Sequence, residues 1–211
     1  MGLTANQHDA LTEILNIAIG RAAHSLNQMV HEEVILSVPD LKFVTQQEAI
    51  DDFSTTLGGQ ICAVKQHFTS TFCGEALLIF PEQQSLALVR HVLGGLIDEN
   101  GMTELEQETM TEVGNVVLNA CLGSLSDQLD IPITSTFPEY RAMGSVDHLF
   151  TPEELSPDRD VRVLVVKVDF HTRAKDISGY LMLVVDIPSA ETFLKAIDAF
   201  IERIHGGVAG T

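Results

Sequence analysis

The chain has 211 residues, of which 45% are hydrophobic and 20% are charged, so its composition excludes a disordered or collagen-like chain and allows one large domain or two small ones. Its 12 Lys and Arg against 30 Asp and Glu give a formal net charge of −18, which argues against binding to nucleic acid or a membrane surface because both are anionic. Three cysteines without C-x-x-C spacing, and an N-terminus with no basic segment followed by an apolar one, predict a reduced, cytoplasmic protein without a membrane anchor.

The first half of the chain begins and ends with a helical pattern and carries strand patterns between them. Apolar residues spaced three and four apart predict the opening helix, with Asn6 as its N-cap. Pro81 stands where the closing helix begins, and Gly94-Gly95 ends it. The predicted elements are a helix over 9–30, a strand over 34–44, a polar connection over 45–59, and strands over 60–68 and 71–80.

The second half repeats this order. Thr103 and Glu106 form a capping-box signature that opens a helix. Gly206-Gly207 closes the last helix. The predicted elements are a helix over 103–129, a strand-like stretch over 132–143, a polar loop over 144–160, strands over 161–170 and 177–186, and a helix over 188–204.

The two halves also match residue by residue. A constant shift of 99 superposes Asn16 on Asn115 and Pro39 on Pro138, and a later shift of 105 pairs Gly74 with Gly179. We therefore predict an α/β protein built from an internally duplicated α-β-β-β-α repeat, with repeats at about 6–96 and 103–207. Because each repeat is small, the two are expected to share one core as a single pseudo-two-fold domain, its mixed or antiparallel sheet covered by helices.

A polar stripe runs along each of the two long helices. At 100° per residue these side chains fall on one narrow face, opposite the apolar face, and therefore point outward. Mid-helix Asn is unfavourable, so its presence on both stripes costs free energy that a merely solvated face would not require. The stripe residues are Asp9, Glu13 and Asn16 in the first helix and Glu108, Glu112, Asn115 and Asn119 in the second.

These helices share a spaced motif: Asp or Ser, three residues, Glu, two residues, Asn, then 22 residues and Pro. The first copy, with Asp9, Glu13, Asn16 and Pro39, fits it in full. The second copy fits at Glu112, Asn115 and Pro138, and departs from it at Glu108. The motif and its surroundings resemble the CheC, CheX and FliY family of chemotaxis response-regulator phosphatases, above all the CheC branch.

The resemblance implies a CheC-like domain that hydrolyses the aspartyl phosphate of a phosphorylated CheY-like response regulator. In that family the Asn positions the attacking water and the Glu pairs with a receiver Lys, roles that fall to Asn16 and Asn115 and to Glu13 and Glu112. Asp9 and Glu108 would support the motif, and the two prolines would shape the following strand. The receiver would bring its own Mg²⁺, so we expect no cofactor and no metal site in this chain, whose eight histidines lack metal-ligand spacing.

Two alternatives stay open from the sequence. The same stripes would also suit a non-catalytic module that binds a receiver, a flagellar switch component or the deamidase CheD without turnover. Because Glu108 is longer than the usual Asp or Ser, a third arrangement has one active site and one inactive one. CheD is a candidate partner in either case.

Overall fold

The structure is a computed structural model, and it describes residues 2–30, 33–57, 60–94, 102–150, 160–171 and 176–208. The first half contains α1 (Ala5–Val30), β1 (Ile35–Thr45), α2 (Gln46–Thr56), β2 (Ile61–Thr69), β3 (Cys73–Pro81) and α3 (Glu82–Val92). The second half contains α4 (Glu104–Leu129), β4 (Thr134–Ser135), β5 (Glu139–Met143), a 3-10 helix (Val146–Leu149), β6 (Val161–His171), β7 (Asp176–Asp186) and α5 (Ile187–Val208). Most of the predicted link between the halves, 96–101, lies outside the described residues.

Strands from both halves form one seven-stranded sheet. Its order is β1-β6-β7-β3-β2, with β4 and β5 both pairing with β2, and every described pair is antiparallel. The counterparts in the two halves are β1 with β4 and β5, β2 with β6, and β3 with β7. Exchanging them gives the same strand order read from the other edge, with the β3–β7 pair at the centre. The sheet thus has the symmetry that a repeat requires, while the duplication itself stays a prediction.

Helices cover both faces of this sheet, which confirms the predicted α/β class. On one face, α1, α3, α4 and α5 bury a large apolar core against alternating strand residues such as Val64, Leu78 and Val166. On the other face, α2 and the 3-10 helix cover a smaller core that includes Phe53 and Leu149. Since strand side chains alternate between faces, β2, β3, β6 and β7 are buried on both sides and are predominantly apolar.

The long helices α1 and α4 lie side by side and run in opposite directions. Arg21 of α1 donates from Nη1 to Ser124 Oγ at 3.2 Å and to Asp127 Oδ2 at 2.9 Å. The apolar face of each helix is fully buried, with Leu15 and Ala18 on α1 and Val117 and Cys121 on α4 all at 0% exposure. This packing turns both polar stripes away from the core.

Matching capping boxes begin the two helices. In α1, Thr4 Oγ1 accepts from the Gln7 backbone and Gln7 Oε1 accepts from the Thr4 backbone. In α4, Thr103 and Glu106 make the same reciprocal pair, as predicted. The prediction of Asn6 as the first N-cap is wrong, because Thr4 and Gln7 satisfy the free backbone N–H groups two residues earlier.

Three further boundaries differ from the sequence predictions. Part of the predicted polar connection is the helix α2, which Thr45 and Glu48 cap and which buries Phe53. Helix α5 continues to Val208, past Gly206-Gly207, so these glycines do not end it. The stretch over 132–143 forms two short strands, and residues 151–159 of the loop that follows lie outside the described part of the chain.

The two motif prolines lie at opposite edges of the sheet, Pro39 within β1 and Pro138 between two short strands. Pro39 falls where the register of β1 against β6 shifts, between Ser37 and Asp40. Pro138 separates β4 from β5. A proline cannot donate a hydrogen bond to a neighbouring strand, so an edge strand with an irregularity is the place that tolerates it.

Candidate functional site

The first polar stripe projects freely from α1. Asp9, Glu13 and Asn16 are all exposed, as predicted. Within the described residues, the side chains of Glu13 and Asn16 make no hydrogen bond to another residue. The side chain of Asp9 lies beside that of its neighbour His8, with 3.7 Å between Oδ1 and Nδ1. A carboxylate and a carboxamide one helical turn apart are therefore both available to a docking protein.

The second stripe, on α4, has the same layout and different hydrogen bonding. Glu108 and Glu112 are exposed, and Asn115 is half-buried. Asn115 Nδ2 donates to Glu112 Oε2 at 3.5 Å. Its Oδ1 accepts from Nδ2 of Asn119, one turn further along the helix, at 2.5 Å. The glutamate and asparagine of this stripe are thus joined to each other and to a third polar residue.

Asn119 connects the second stripe to the sheet beneath it. Its Oδ1 accepts from Gln66 Nε2 of β2 at 3.2 Å and from Ser135 Oγ of β4 at 3.4 Å. Gln66 is only 2% exposed. The carboxamide of Asn115 is therefore held by a series of hydrogen bonds that begins in the core.

An open cleft of about 600 Å³ lies beside the first stripe, between α1 and the end of α5. Asp9 and Glu13 lie on its α1 side, and apolar side chains from both helices line it, including the exposed Ile17 and Ile204. Arg203 lies over the ring of Phe200 at 5.6 Å and donates to the backbone carbonyl of Gln128. The cleft combines an apolar surface with acidic and basic groups, as a protein-docking surface does.

The surroundings of the second stripe are different. The cleft beside α1 is bounded by α5, which has 22 residues. The corresponding helix beside α4 is α3, which has only 11 residues. The stripe instead adjoins a shallow depression of about 440 Å³ between α1 and α4, lined by Arg21, Asn115 and Asn119 among others. Phe137, two residues after Ser135, is 95% exposed. Two similar motifs therefore lie in unequal docking environments.

Among the described residues, the two buried cysteines and the possible metal ligands provide no second reactive site. Burial raises the pKa of the Cys62 thiol to about 11 and that of Cys121 to about 12, so neither is a thiolate near neutral pH. In the described part of the chain, no group of three His, Cys, Asp or Glu side chains is arranged to hold a metal ion. No helix among the described residues is both long and apolar enough to span a bilayer.

Sequence reasoning placed the Glu and Asn of both motif copies on the outward helix face and missed what surrounds them. Gln66, Ser135 and the cleft residues of α5 were not predicted. Gln66 carried one signal, because it is the polar member of an alternating set in β2 whose other members, Cys62, Val64 and Phe68, are apolar and belong to the larger core. The cleft residues of α5 carried no such signal, because only the packing of α5 beside α1 brings them next to the first stripe.

The chain resembles proteins of known function in both sequence and structure, although no protein-family model matches it. It is 21% identical over 206 residues to the CheY-P phosphatase CheC of Bacillus subtilis, covering 94% of this chain and 97% of CheC. It is 24% identical over 181 residues to the flagellar motor switch phosphatase FliY of Bacillus subtilis, covering 83% of this chain but only 44% of FliY.

A solved structure shows the same fold. The crystal structure of Thermotoga maritima FliY superposes with a TM-score of 0.76 at 21% identity, covering 95% of this chain and 100% of that one. The fold of the chain is therefore that of FliY. Together with the two sequence matches, this confirms the resemblance to the CheC, CheX and FliY family.

Proposed function

We propose that the protein is a phosphatase that removes the aspartyl phosphate of a CheY-like response regulator in chemotaxis or related two-component signalling. The observation that carries this proposal is the outward display of a Glu and an Asn, one turn apart, on each of two rigid helices. The names of the relatives support it, since both CheC and FliY are called phosphatases and the substrate named for CheC is CheY-P.

The proposed chemistry needs only an amide at the reacting centre. Phosphoryl transfer passes through a loose transition state in which the attacking oxygen must be placed rather than strongly activated. The carbonyl oxygen of Asn16 or Asn115 would accept a hydrogen bond from water and hold it in line with the phosphorus. The receiver would supply the Mg²⁺ and the cationic groups around the phosphate. The role of this chain would be to position the attacking water.

The carboxylates would set how the receiver docks. Glu13 and Glu112 project from the turn before each Asn, where a receiver Lys could pair with them and orient the helix toward the phosphate. The net charge of −18 favours a partner that carries a basic patch. Asp9 adds a second carboxylate to the first stripe, and Glu108 adds one to the second.

The two sites would begin docking from different states. Glu13 makes no hydrogen bond to a described residue and is ready to pair with a cation. Glu112 accepts from Asn115 at 3.5 Å, a long hydrogen bond that a receiver Lys would readily replace. We therefore propose that both sites engage receivers, each through the same pair of residue types.

A second candidate function is binding without turnover. The name of the FliY relative, a flagellar motor switch phosphatase, favours a place at the flagellar switch for this alternative. A docking-only module for a receiver, a switch component or CheD would use the same exposed stripes. It would not require a carboxamide at both Asn16 and Asn115. A phosphatase therefore accounts for these two residues better than a binding module does.

One experiment separates the two functions. The purified chain is mixed with a receiver phosphorylated in the presence of Mg²⁺, and both phosphate release and receiver binding are followed as the chain is titrated. The phosphatase shortens the lifetime of the phosphorylated receiver in proportion to the complex formed. Tight binding with an unchanged lifetime at saturation would instead establish the binding module.

A further inference from the structure

The two signature helices differ at the position one turn after the motif Asn. The first helix has Gly20 there and the second has Asn119, related by the same shift of 99 residues. We propose that Asn119, supported by Gln66, is a positioning residue that fixes the carboxamide of Asn115 for water placement at the second site. The inference rests on the proposed function and assigns a role that the motif itself does not contain.

Glu112 determines which group donates and which accepts in each hydrogen bond around Asn115. A carboxylate only accepts hydrogen bonds, so the amide nitrogen of Asn115 must face Glu112, at 3.5 Å. The carbonyl oxygen then faces Asn119, which donates to it at 2.5 Å. With its nitrogen used in this way, Asn119 presents its own oxygen to Gln66 Nε2 at 3.2 Å. Each carboxamide in the series therefore has one defined orientation.

The burial of Gln66 is the second observation. At 2% exposure it lies in the apolar core, and its Oε1 has no hydrogen-bond partner. An unsatisfied buried carbonyl destabilises a fold, so this position would be better filled by an apolar residue for stability alone. The counterpart in the other half, by strand register, is the apolar Val166 at 0% exposure. Gln66 is thus a polar exception on the strand beneath the second site.

The arrangement leaves Asn115 able to bind water. A carbonyl oxygen has two lone pairs, and the bond from Asn119 uses one of them. When a receiver Lys takes over Glu112, Asn115 loses that restraint and Asn119 still holds the carbonyl in place. A carboxamide fixed before docking places the water without first losing side-chain rotational freedom, which raises the rate of the chemical step.

The first site has no equivalent restraint. Gly20 has no side chain that could donate to Asn16, and a Cβ built there meets no atom within 4 Å. Asn16 makes no hydrogen bond to a described residue. The second site therefore has a carboxamide that hydrogen bonds hold in place, and the first has one without such bonds among the described residues, beside a larger cleft.

The test isolates the second site in an Asn16→Ala background and measures phosphate release over a range of receiver concentrations. Adding Asn119→Ala, which favours helix formation, is expected to lower kcat by about two- to tenfold, the effect of one lost hydrogen bond, with KM unchanged. Asn119→Asp keeps the shape but removes the donor to Asn115, and is expected to lower kcat at least as much. Gln66→Val removes the hydrogen bond from β2 to Asn119 and should also lower kcat.

The matched control is Glu104→Gln in the same background, an exposed position in the first turn of α4 that does not line the depression beside Asn115, where kcat should not change. An unchanged or raised kcat in Asn119→Ala, or a rise in KM alone, would overturn the positioning role. A second site that is inactive in Asn16→Ala while Asn115→Ala stays active would also overturn it. If the unsubstituted chain fails to accelerate phosphate loss, it is the proposed function that falls.

Discussion

Arg90 of α3 donates from Nε to Oε1 of Glu106 at 3.0 Å, so the last helix of the first half holds the N-terminus of the second half's signature helix. A reciprocal contact holds the other helix, where Gln7 of α1 donates from Nε2 to Asp198 Oδ1 of α5 at 2.7 Å. Each signature helix is thus anchored at its first turn by the other half of the chain. Such anchoring keeps the Glu and Asn of each stripe on a rigid support.

The Arg90–Glu106 contact predicts an acid-sensitive contribution to stability. Burial alone would raise the pKa of Glu106, but the hydrogen bonds from Thr103 and Arg90 outweigh it and lower the pKa below its usual 4.5. A carboxyl whose pKa is lower in the folded than in the unfolded chain stabilises the fold at pH values above the unfolded-state pKa. That stabilisation is lost as the pH falls through the folded-state pKa. Glu106→Gln keeps the capping box and loses the charge, so it should lower the free energy of unfolding at pH 7 by about 1–3 kcal/mol.

Urea unfolding at several pH values checks this prediction. The difference between Glu106→Gln and the unsubstituted chain should narrow as the pH falls below 4.5, because protonation removes the same charge. Glu104→Gln, in the same first turn but exposed, serves as the control and should change stability by under about 0.5 kcal/mol. A constant difference across the whole pH range would contradict the assigned role of the charge.

Gly114, between Glu112 and Asn115, allows α4 to approach β2 closely. A Cβ built at Gly114 would lie 2.4 Å from Cγ1 of Val64, too close for two carbon atoms. Gly114→Ala should therefore destabilise the fold by about 1–3 kcal/mol through overpacking. Gly123→Ala on the same helix meets no atom within 4 Å and should stabilise by about 0.5–1 kcal/mol. Thermal or urea unfolding compares the two, and equal effects would show that Val64 is not the obstacle.

The cleft beside α1 predicts a difference in docking between the two sites. Ile204 is 48% exposed at the α5 side of this cleft. If the receiver covers it, Ile204→Asp should raise KM about tenfold or more when only the first site is active, in an Asn115→Ala background, because a charge would replace a buried apolar side chain. In an Asn16→Ala background, where the second site acts alone, KM should stay the same.

Ile35→Asp provides the control for this prediction. Ile35 is 55% exposed at the start of β1 and does not line the cleft, so a new charge there should leave KM unchanged at either site. An Ile204→Asp variant with an unchanged KM at the first site would place the receiver elsewhere on α1.

Much of the fold and the motif residues could be predicted from the sequence. Spacing placed Glu13, Asn16, Glu112 and Asn115 outward because a long amphipathic helix has one buried side. The capping box at Thr103 marked the start of α4, because the residue types at N-cap and N3 carry that signal. The equivalent Thr4 and Gln7 carry the same pattern, and the prediction of Asn6 overlooked it.

The features that distinguish the two sites could not be predicted in this way. The contact between Gln66 and Asn119 joins residues 53 positions apart, and only the packing of α4 on β2 brings them together. The cleft depends on the end of α5 packing beside α1, which brings Ile204 and Ile17 to the same cleft although they are far apart in the sequence. Both depend on tertiary contacts, which periodicity and local propensity do not encode.

The most direct test of the proposed chemistry is the rate at which a phosphorylated CheY-like receiver loses phosphate in the presence of the double variant Asn16→Ala/Asn115→Ala. Receiver binding is measured on the same samples, since Glu13 and Glu112 remain in place to dock it. We predict that binding persists while phosphate loss slows to the receiver's own rate, because no carboxamide remains to place the water. A double variant that accelerates phosphate loss as well as the unsubstituted chain would contradict the account.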